Sequence, residues 1–146
     1  MREARYTLKA VAAGPYDEVV ERVRAELASE GFGILCEIDV RATLRPKLGV
    51  DMEPYVILGA CNPPMAHRAL ETESELGTLL PCNVVVYERE GLTHVAAIDP
   101  ERMLSIVGNE RLEPIAADVK RRLLDVVERA SRAHEPASLL ATRVSD

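Results

Sequence analysis

The chain has 146 residues, a formal net charge of −6 and a pI near 5.2, with four Tyr, one Phe and no Trp. Its length predicts a single domain with a hydrophobic core large enough to be stable without disulfide cross-links. Three cysteines are an odd number and leave no complete disulfide framework. The acidic balance argues against partners that present phosphate groups, both nucleic acid and anionic membrane. With no apolar leader segment and no apolar run of membrane-spanning length, we expect a soluble cytoplasmic protein.

The first two predicted elements are a strand and a helix. Polar and apolar residues alternate over residues 5–11, which is typical of an amphipathic strand. Over residues 16–29 the apolar side chains recur at the spacing of one helix face, and Gly31 follows as a helix terminator.

A second strand is predicted over residues 32–38, with Ile34, Cys36 and Ile38 on one face. This places Cys36 in the core, where small apolar-like thiols are common. A short helix then begins at Asp39 or Val40 and ends at Gly49.

The central segment, residues 55–88, contains two of the three cysteines, each beside a proline. Residues 55–58 form a β-branched apolar run, which predicts a buried strand. Asn62 and Pro63 suit the N-cap and N1 positions of a helix over residues 63–70, with the Asn62 side chain as the cap. Cys61 then lies just before a helix start, where the macrodipole favours a thiolate.

The second cysteine, Cys82, follows Pro81 and begins a predicted strand that continues from Asn83 to residue 87. Two strand ends can meet at one edge of a sheet, which would make Cys61 and Cys82 neighbours. Between the helix and this strand, residues 72–78 are acidic and non-periodic. We interpret them as a solvated loop, because they lack the ligand pattern of an oxygen-coordinated cation site.

The last third of the chain predicts a hairpin and two helices. Residues 83–87 and 93–98 flank a glycine-containing turn. Asp99 caps a helical turn over residues 100–107, and residues 112–133 carry the longest apolar stripe. We assign residues 1–134 to one domain and residues 135–146 to a loose tail in which Leu139 and Leu140 could contact a partner.

The order of elements predicts an α+β fold with two layers, a mostly antiparallel sheet and two amphipathic helices on one face. The run Val84-Val85-Val86 is apolar on both sides of a strand, which indicates that a partner covers part of the other face.

Several motifs resemble the domain of unknown function (DUF) family 302. They are Gly59-Ala-Cys-Asn-Pro-Pro64, Leu79-Leu-Pro-Cys-Asn-Val-Val-Val-Tyr87, Ala97-Ile-Asp-Pro100 with Met103, and the closing amphipathic helix. The resemblance covers about residues 5–133. It implies a β-α-β4-α fold similar to the TATA-binding-protein-like architecture, a prokaryotic source and a homodimer. It implies no established activity, cofactor or catalytic residue.

Three functions compete for the candidate site formed by Cys61, Asn62, Pro63, Cys82 and Asn83. The first is a dimeric module that binds a small ligand or a partner, in which these residues are structural. The second is a thiol redox or sensing site with Cys61 as the reactive thiolate and Cys82 as its resolving partner. The third is a metal site built from Cys61, His67 and Cys82, with His94 as a distant fourth ligand, although the spacing matches no standard motif. Whether the protein is an enzyme stays open.

Overall fold

A computed structural model describes residues 5–132 of the chain. The strands are β1 (Thr7–Ala12), β2 (Gly33–Asp39), β3 (Tyr55–Cys61), β4 (Cys82–Arg89) and β5 (Leu92–Ile98). The α-helices are α1 (Tyr16–Ser29), α2 (Val40–Leu48), α3 (Pro63–Thr72), α4 (Pro100–Ser105) and α5 (Glu113–Ser131). Two 3₁₀ helices, Ser74–Leu79 and Glu110–Leu112, complete the fold.

The five strands form one antiparallel sheet in the order β1-β5-β4-β3-β2. This confirms the predicted α+β class and the β-α-β4-α order, with short helices inserted between strands. At the β4–β5 turn, Glu90 and Gly91 both have positive φ, as a two-residue type I′ turn requires. The predicted tail, residues 135–146, lies outside the described residues.

The two faces of the sheet differ in what covers them. The face toward α1 and α5, here called the covered face, contributes side chains with almost no exposure, including Leu58, Val84 and Val86. From α1 and α5 come fully buried partners such as Val23 and Leu123. Since successive strand residues point to opposite sides, their neighbours point to the other face, here called the open face.

Cys36 does not lie in the core, contrary to the sequence-based prediction. The register shifts between Ile34 and Cys36, so that Ile34 pairs with Ala60 while Cys36 pairs with Gly59. Such a β-bulge adds one residue, Leu35, to β2 and breaks the strict alternation on which the prediction depended. Cys36 therefore points to the open face and is exposed.

Residues 72–78 are not a solvated loop. Helix α3 continues to Thr72, and the 3₁₀ helix Ser74–Leu79 follows at once. Leu76 is buried to 2% exposure because the 3₁₀ turn directs it into the core, while Glu75 stays outside. No helix within residues 5–132 combines the length and apolar character that crossing a bilayer demands.

Candidate functional site

An apolar cavity of about 290 Å³ lies where β3 and β4 end beneath α3. Helix α3 contributes Met65 and Ala69 to its wall, and the segment after α3 contributes Leu76 and Leu80. Leu104 of α4 and Ile115 and Val119 of α5 complete the wall. The cavity is thus lined largely by residues that pack α3 onto the rest of the core, and it opens to solvent beside the exposed Leu35 and Leu70.

Both cysteines of the candidate site border this cavity. Cys82 pairs with Ala60 across β3 and β4, so Cys61 lies one residue out of register with Cys82. Residues one position out of register leave the sheet on opposite sides, so a direct disulfide would require the backbone to shift. Cys61 and Cys82 both border the cavity, but they lack the pairing geometry of adjacent cross-strand residues.

The two thiols differ in environment. Cys82 is buried at 8% exposure, whereas Cys61 is partly exposed. Burial, with a smaller contribution from nearby Cys61, raises the pKa of the Cys82 thiol to about 11. Cys82 is therefore a neutral thiol at physiological pH, which makes it a poor nucleophile or metal ligand there.

The start of α3 differs from the prediction in one respect. Asn62 is the N-cap residue, but its side chain makes no capping hydrogen bond, and only its backbone carbonyl accepts, from Ala66 N–H at 2.9 Å. Pro63 and Pro64 have no N–H, so this helix start presents fewer free donors than most. The electrostatic help that the sequence suggested for a Cys61 thiolate is correspondingly weaker.

The Asn62 side chain instead lies against the end of α1. It is 9% exposed, borders the cavity, and its Nδ2 atom is 3.3 Å from where a Cβ on Gly31 would be. Gly31 terminates α1 with a φ of 83°. A side chain there would be unfavourable for two reasons: the backbone conformation, and the close approach to Asn62. Within residues 5–132 the Asn62 amide has no hydrogen-bond partner.

Gly59 allows close packing beside the cavity. A Cβ at Gly59 would be 2.6 Å from Cys36 Sγ and 2.9 Å from Pro81 Cγ. The absent side chain lets Cys36 and Pro81 meet over β3, directly next to the strand end that carries Cys61. The Gly in the first quoted motif therefore has a packing reason at this position.

Other members of the candidate site do not come together with the cysteines. Asn83 is exposed and pairs with Gly59 on the open face. Pro63 is exposed at the first position of α3. His67 lies on the solvent side of α3, where its Nδ1 is 3.3 Å from Glu71, and it is not part of the cavity wall. No group of three metal-ligating side chains occurs in residues 5–132.

The sequence analysis missed most of the apolar cavity wall. Leu76, Leu79 and Leu80 follow an i, i+3, i+4 pattern, which in retrospect is the signal that residues 74–80 return to the core. Leu35 gave no such signal, because its place in the wall depends on the β-bulge in β2.

The open face carries a row of aromatic rings that the sequence analysis also missed. Tyr55 stacks on Tyr87 with ring centroids 5.2 Å apart, and Tyr87 stacks on His94 at 4.9 Å. The row runs across β3, β4 and β5 because their registers place these residues side by side. Burial, then Lys9 and Arg89, lowers the pKa of His94 below its usual value.

The fold and cavity define an open-faced two-layer α+β protein with a small apolar site at one end of the sheet. Residues 8–130 match the family described as domain of unknown function DUF302. The chain belongs to this family, as its motifs indicated.

A solved structure supports the assignment. The crystal structure of an uncharacterized conserved protein DUF302 from Bacillus stearothermophilus has a TM-score of 0.82 and 34% sequence identity to this chain. The similarity covers 87% of this chain and 99% of that chain. The comparison with curated proteins gave no match.

Proposed function

We propose that the protein is a homodimeric small-ligand-binding module whose ligand occupies the cavity between α3 and the ends of β3 and β4. One observation carries the proposal: the cavity is apolar, yet its wall includes Asn62, which is 9% exposed and whose amide has no hydrogen-bond partner among residues 5–132. Ligand sites combine apolar walls with a few polar groups that orient the ligand.

A ligand screen with a blocked variant tests the binding function. Small neutral aromatic molecules should shift the amide NMR signals of α3 and of the β3 and β4 ends. Ala69, buried in the wall at 4% exposure, offers a blocking substitution, Ala69→Leu, which should abolish those shifts. Ala66→Leu, at a less buried wall position, serves if Ala69→Leu does not fold. Unchanged spectra with every probe would contradict the proposed function.

The open face supports the dimer. Its positions carry only two charged residues in the described strands, Lys9 and Arg89, although charged residues make up 29% of the chain. The positions are Thr7, Lys9, Val11, Gly33, Cys36, Ile38, Tyr55, Ile57, Gly59, Cys61, Asn83, Val85, Tyr87, Arg89, Leu92, His94, Ala96 and Ile98. Depletion of charge is the compositional mark of an interface core.

Features of helix α2 also favour a second copy of the chain as the partner. It has nine residues, contains Pro46 and buries none of its side chains, while Leu48 is 67% exposed. Isolated helices shorter than about 12 residues are marginal in water, so contact with a second copy would stabilise α2. Strand spacing gives the open face a projected area of roughly 550 Å². Together with α2 this approaches the roughly 800 Å² that each partner buries in a standard interface.

Sedimentation velocity tests the dimer. The wild-type chain should sediment at twice its mass of 16.1 kDa. Val85→Lys places a charge at the centre of the open face and should produce monomers. Ile106→Lys is the matched control, because Ile106 is 76% exposed on a different surface, and it should remain dimeric. A wild-type chain that is monomeric at every concentration would refute this interface.

The second candidate function is thiol chemistry at Cys61, which is favoured by its partly exposed position beside the cavity. Labelling with an alkylating reagent at several pH values distinguishes it. A functional Cys61 should react faster than the exposed Cys36, while Cys82 stays unmodified. Equal, slow labelling of all three cysteines would end this candidate.

A further inference from the structure

The volume of the cavity limits the size of its ligand. It measures about 290 Å³. An apolar protein cavity of about 150 Å³ accommodates benzene, so this one admits roughly ten non-hydrogen atoms. Pockets for drug-sized ligands begin near 300 Å³. Most of a nucleotide or a dinucleotide cofactor would therefore lie outside it.

The composition of the wall limits the charge of the ligand. None of the described wall residues is Asp, Glu, Lys, Arg or His; the wall comprises Phe32, Leu35, Ala60, Cys61, Asn62, Met65, Ala66, Ala69, Leu70, Leu76, Gly77, Leu80, Pro81, Cys82, Leu104, Ile115 and Val119. A charged ligand would lose its hydration without gaining an opposite charge, which is strongly unfavourable. The ligand is therefore neutral.

Asn62 sets the polar group of the ligand. Its amide offers two donor hydrogens and one acceptor oxygen, and the described part of the chain pairs none of them. The Nδ2 atom lies toward Gly31 at the end of α1, and Asn62 borders the cavity. A ligand with an amide or a carbonyl can pair with the Asn62 amide, whereas a pure hydrocarbon offers it no hydrogen bond.

We propose that the site selects neutral, mostly apolar molecules of about ten non-hydrogen atoms that hydrogen-bond to Asn62 through an amide or carbonyl group. This inference rests on the ligand-binding function proposed above. Asn62 thereby becomes the residue that determines specificity, and the two cysteines become part of the apolar wall.

Three monosubstituted benzenes, namely benzamide, benzoate and toluene, test the inference by NMR titration of the full chain at neutral pH. Benzamide should bind at least tenfold more tightly than benzoate. Asn62→Leu should weaken benzamide at least tenfold and leave toluene unchanged or tighter. Arg68→Leu, at an exposed residue of α3 outside the cavity wall, should change neither.

The outcomes separate this inference from the proposed function. If toluene binds and Ala69→Leu abolishes its binding, the cavity is a ligand site. Benzoate binding as tightly as benzamide would then overturn the requirement for a neutral ligand, and an unchanged benzamide-to-toluene ratio in Asn62→Leu would overturn the role of Asn62. If no probe binds the wild-type chain, both proposals fail. Asn62→Ser replaces Asn62→Leu if the latter does not fold, and should weaken benzamide in the same direction.

Discussion

The two faces of the sheet have similar apolar content but different environments. Leu58, Val84 and Val86 on the covered face are completely or nearly completely buried under α1 and α5. Ile57 and Val85 on the open face are partly exposed, beside the stacked Tyr55 and Tyr87. The difference teaches that a strand with apolar residues on both sides need not have both sides buried within its own domain. One face supplies the core, and the other is available for a partner.

The largest expected effect separates the two faces at neighbouring residues. Leu58→Ala should destabilise the fold by about 3 kcal/mol, because Leu58 is 0% exposed and its loss leaves a cavity. Ile57→Ala should cost about 1 kcal/mol in dilute protein, since the side chain is only partly buried. Urea unfolding at low protein concentration measures both. Equal costs would mean that the faces do not differ as described.

The covered face should also produce a dependence on alkaline pH. The Cys82 thiol has its pKa raised from 9.0 to about 11, so between these values the unfolded chain loses its proton while the folded chain keeps it. The stability that Cys82 contributes below pH 9 should therefore disappear as pH rises to 11, a loss of about 2–3 kcal/mol. Urea unfolding between pH 8 and 11 measures it, and Cys82→Ala should remove this part of the slope. An identical slope in the variant would assign it to other groups.

Gly59 tests the open face next to the cavity. Gly59→Ala should destabilise by about 2 kcal/mol, because the new Cβ would clash with Cys36 Sγ and Pro81 Cγ. Gly77→Ala is the matched control, since no atom of the described residues lies within 4 Å of its added Cβ. Cys36→Ala in the Gly59→Ala background should recover part of the loss, which a thermal-unfolding double-mutant cycle would measure. Strict additivity would contradict the contact.

The smallest expected effect concerns His94 in the aromatic row. Burial, Lys9 and Arg89 lower its pKa below the usual 6.5, so the unfolded chain takes up the proton first as pH falls. Stability from His94 should thus be present above pH 6.5 and be lost below it. An NMR titration of the imidazole should show the lowered pKa, and Lys9→Met should raise it. Lys47→Met serves as control; an equal shift there would exclude a local effect of Lys9.

Local patterns were enough for most of the fold. The bounds predicted for α1 agree with Tyr16–Ser29, because its apolar spacing and the terminating Gly31 are both local signals. The predicted cap at Asp99 is also present, accepting from Glu101 N–H at 2.9 Å. Both motif cysteines were correctly expected near strand ends. Local signals succeed here since the groups they involve lie within one helical turn.

The cavity could not be predicted in the same way. The place of Cys36 depends on a register shift against β3, and that of Leu76 on a 3₁₀ turn that packs under α3. Asn62 has the sequence of a capping residue, yet its side chain reaches Gly31 at the end of α1 instead of its own helix. In each case, packing against an element that is distant in sequence outweighs the local structural preference of the residue.

By itself, the amino-acid sequence determined the order of strands and helices, the family and the segment that contains both motif cysteines. Periodicity, caps and turn residues act over a few positions, so they can be recognised from the sequence alone. Only the tertiary structure decided which face of the sheet stays open, which side chains line the cavity and that the Asn62 amide has no partner within residues 5–132. Those properties depend on register and packing between segments far apart in the chain, where a shift of one residue reverses the direction of every side chain.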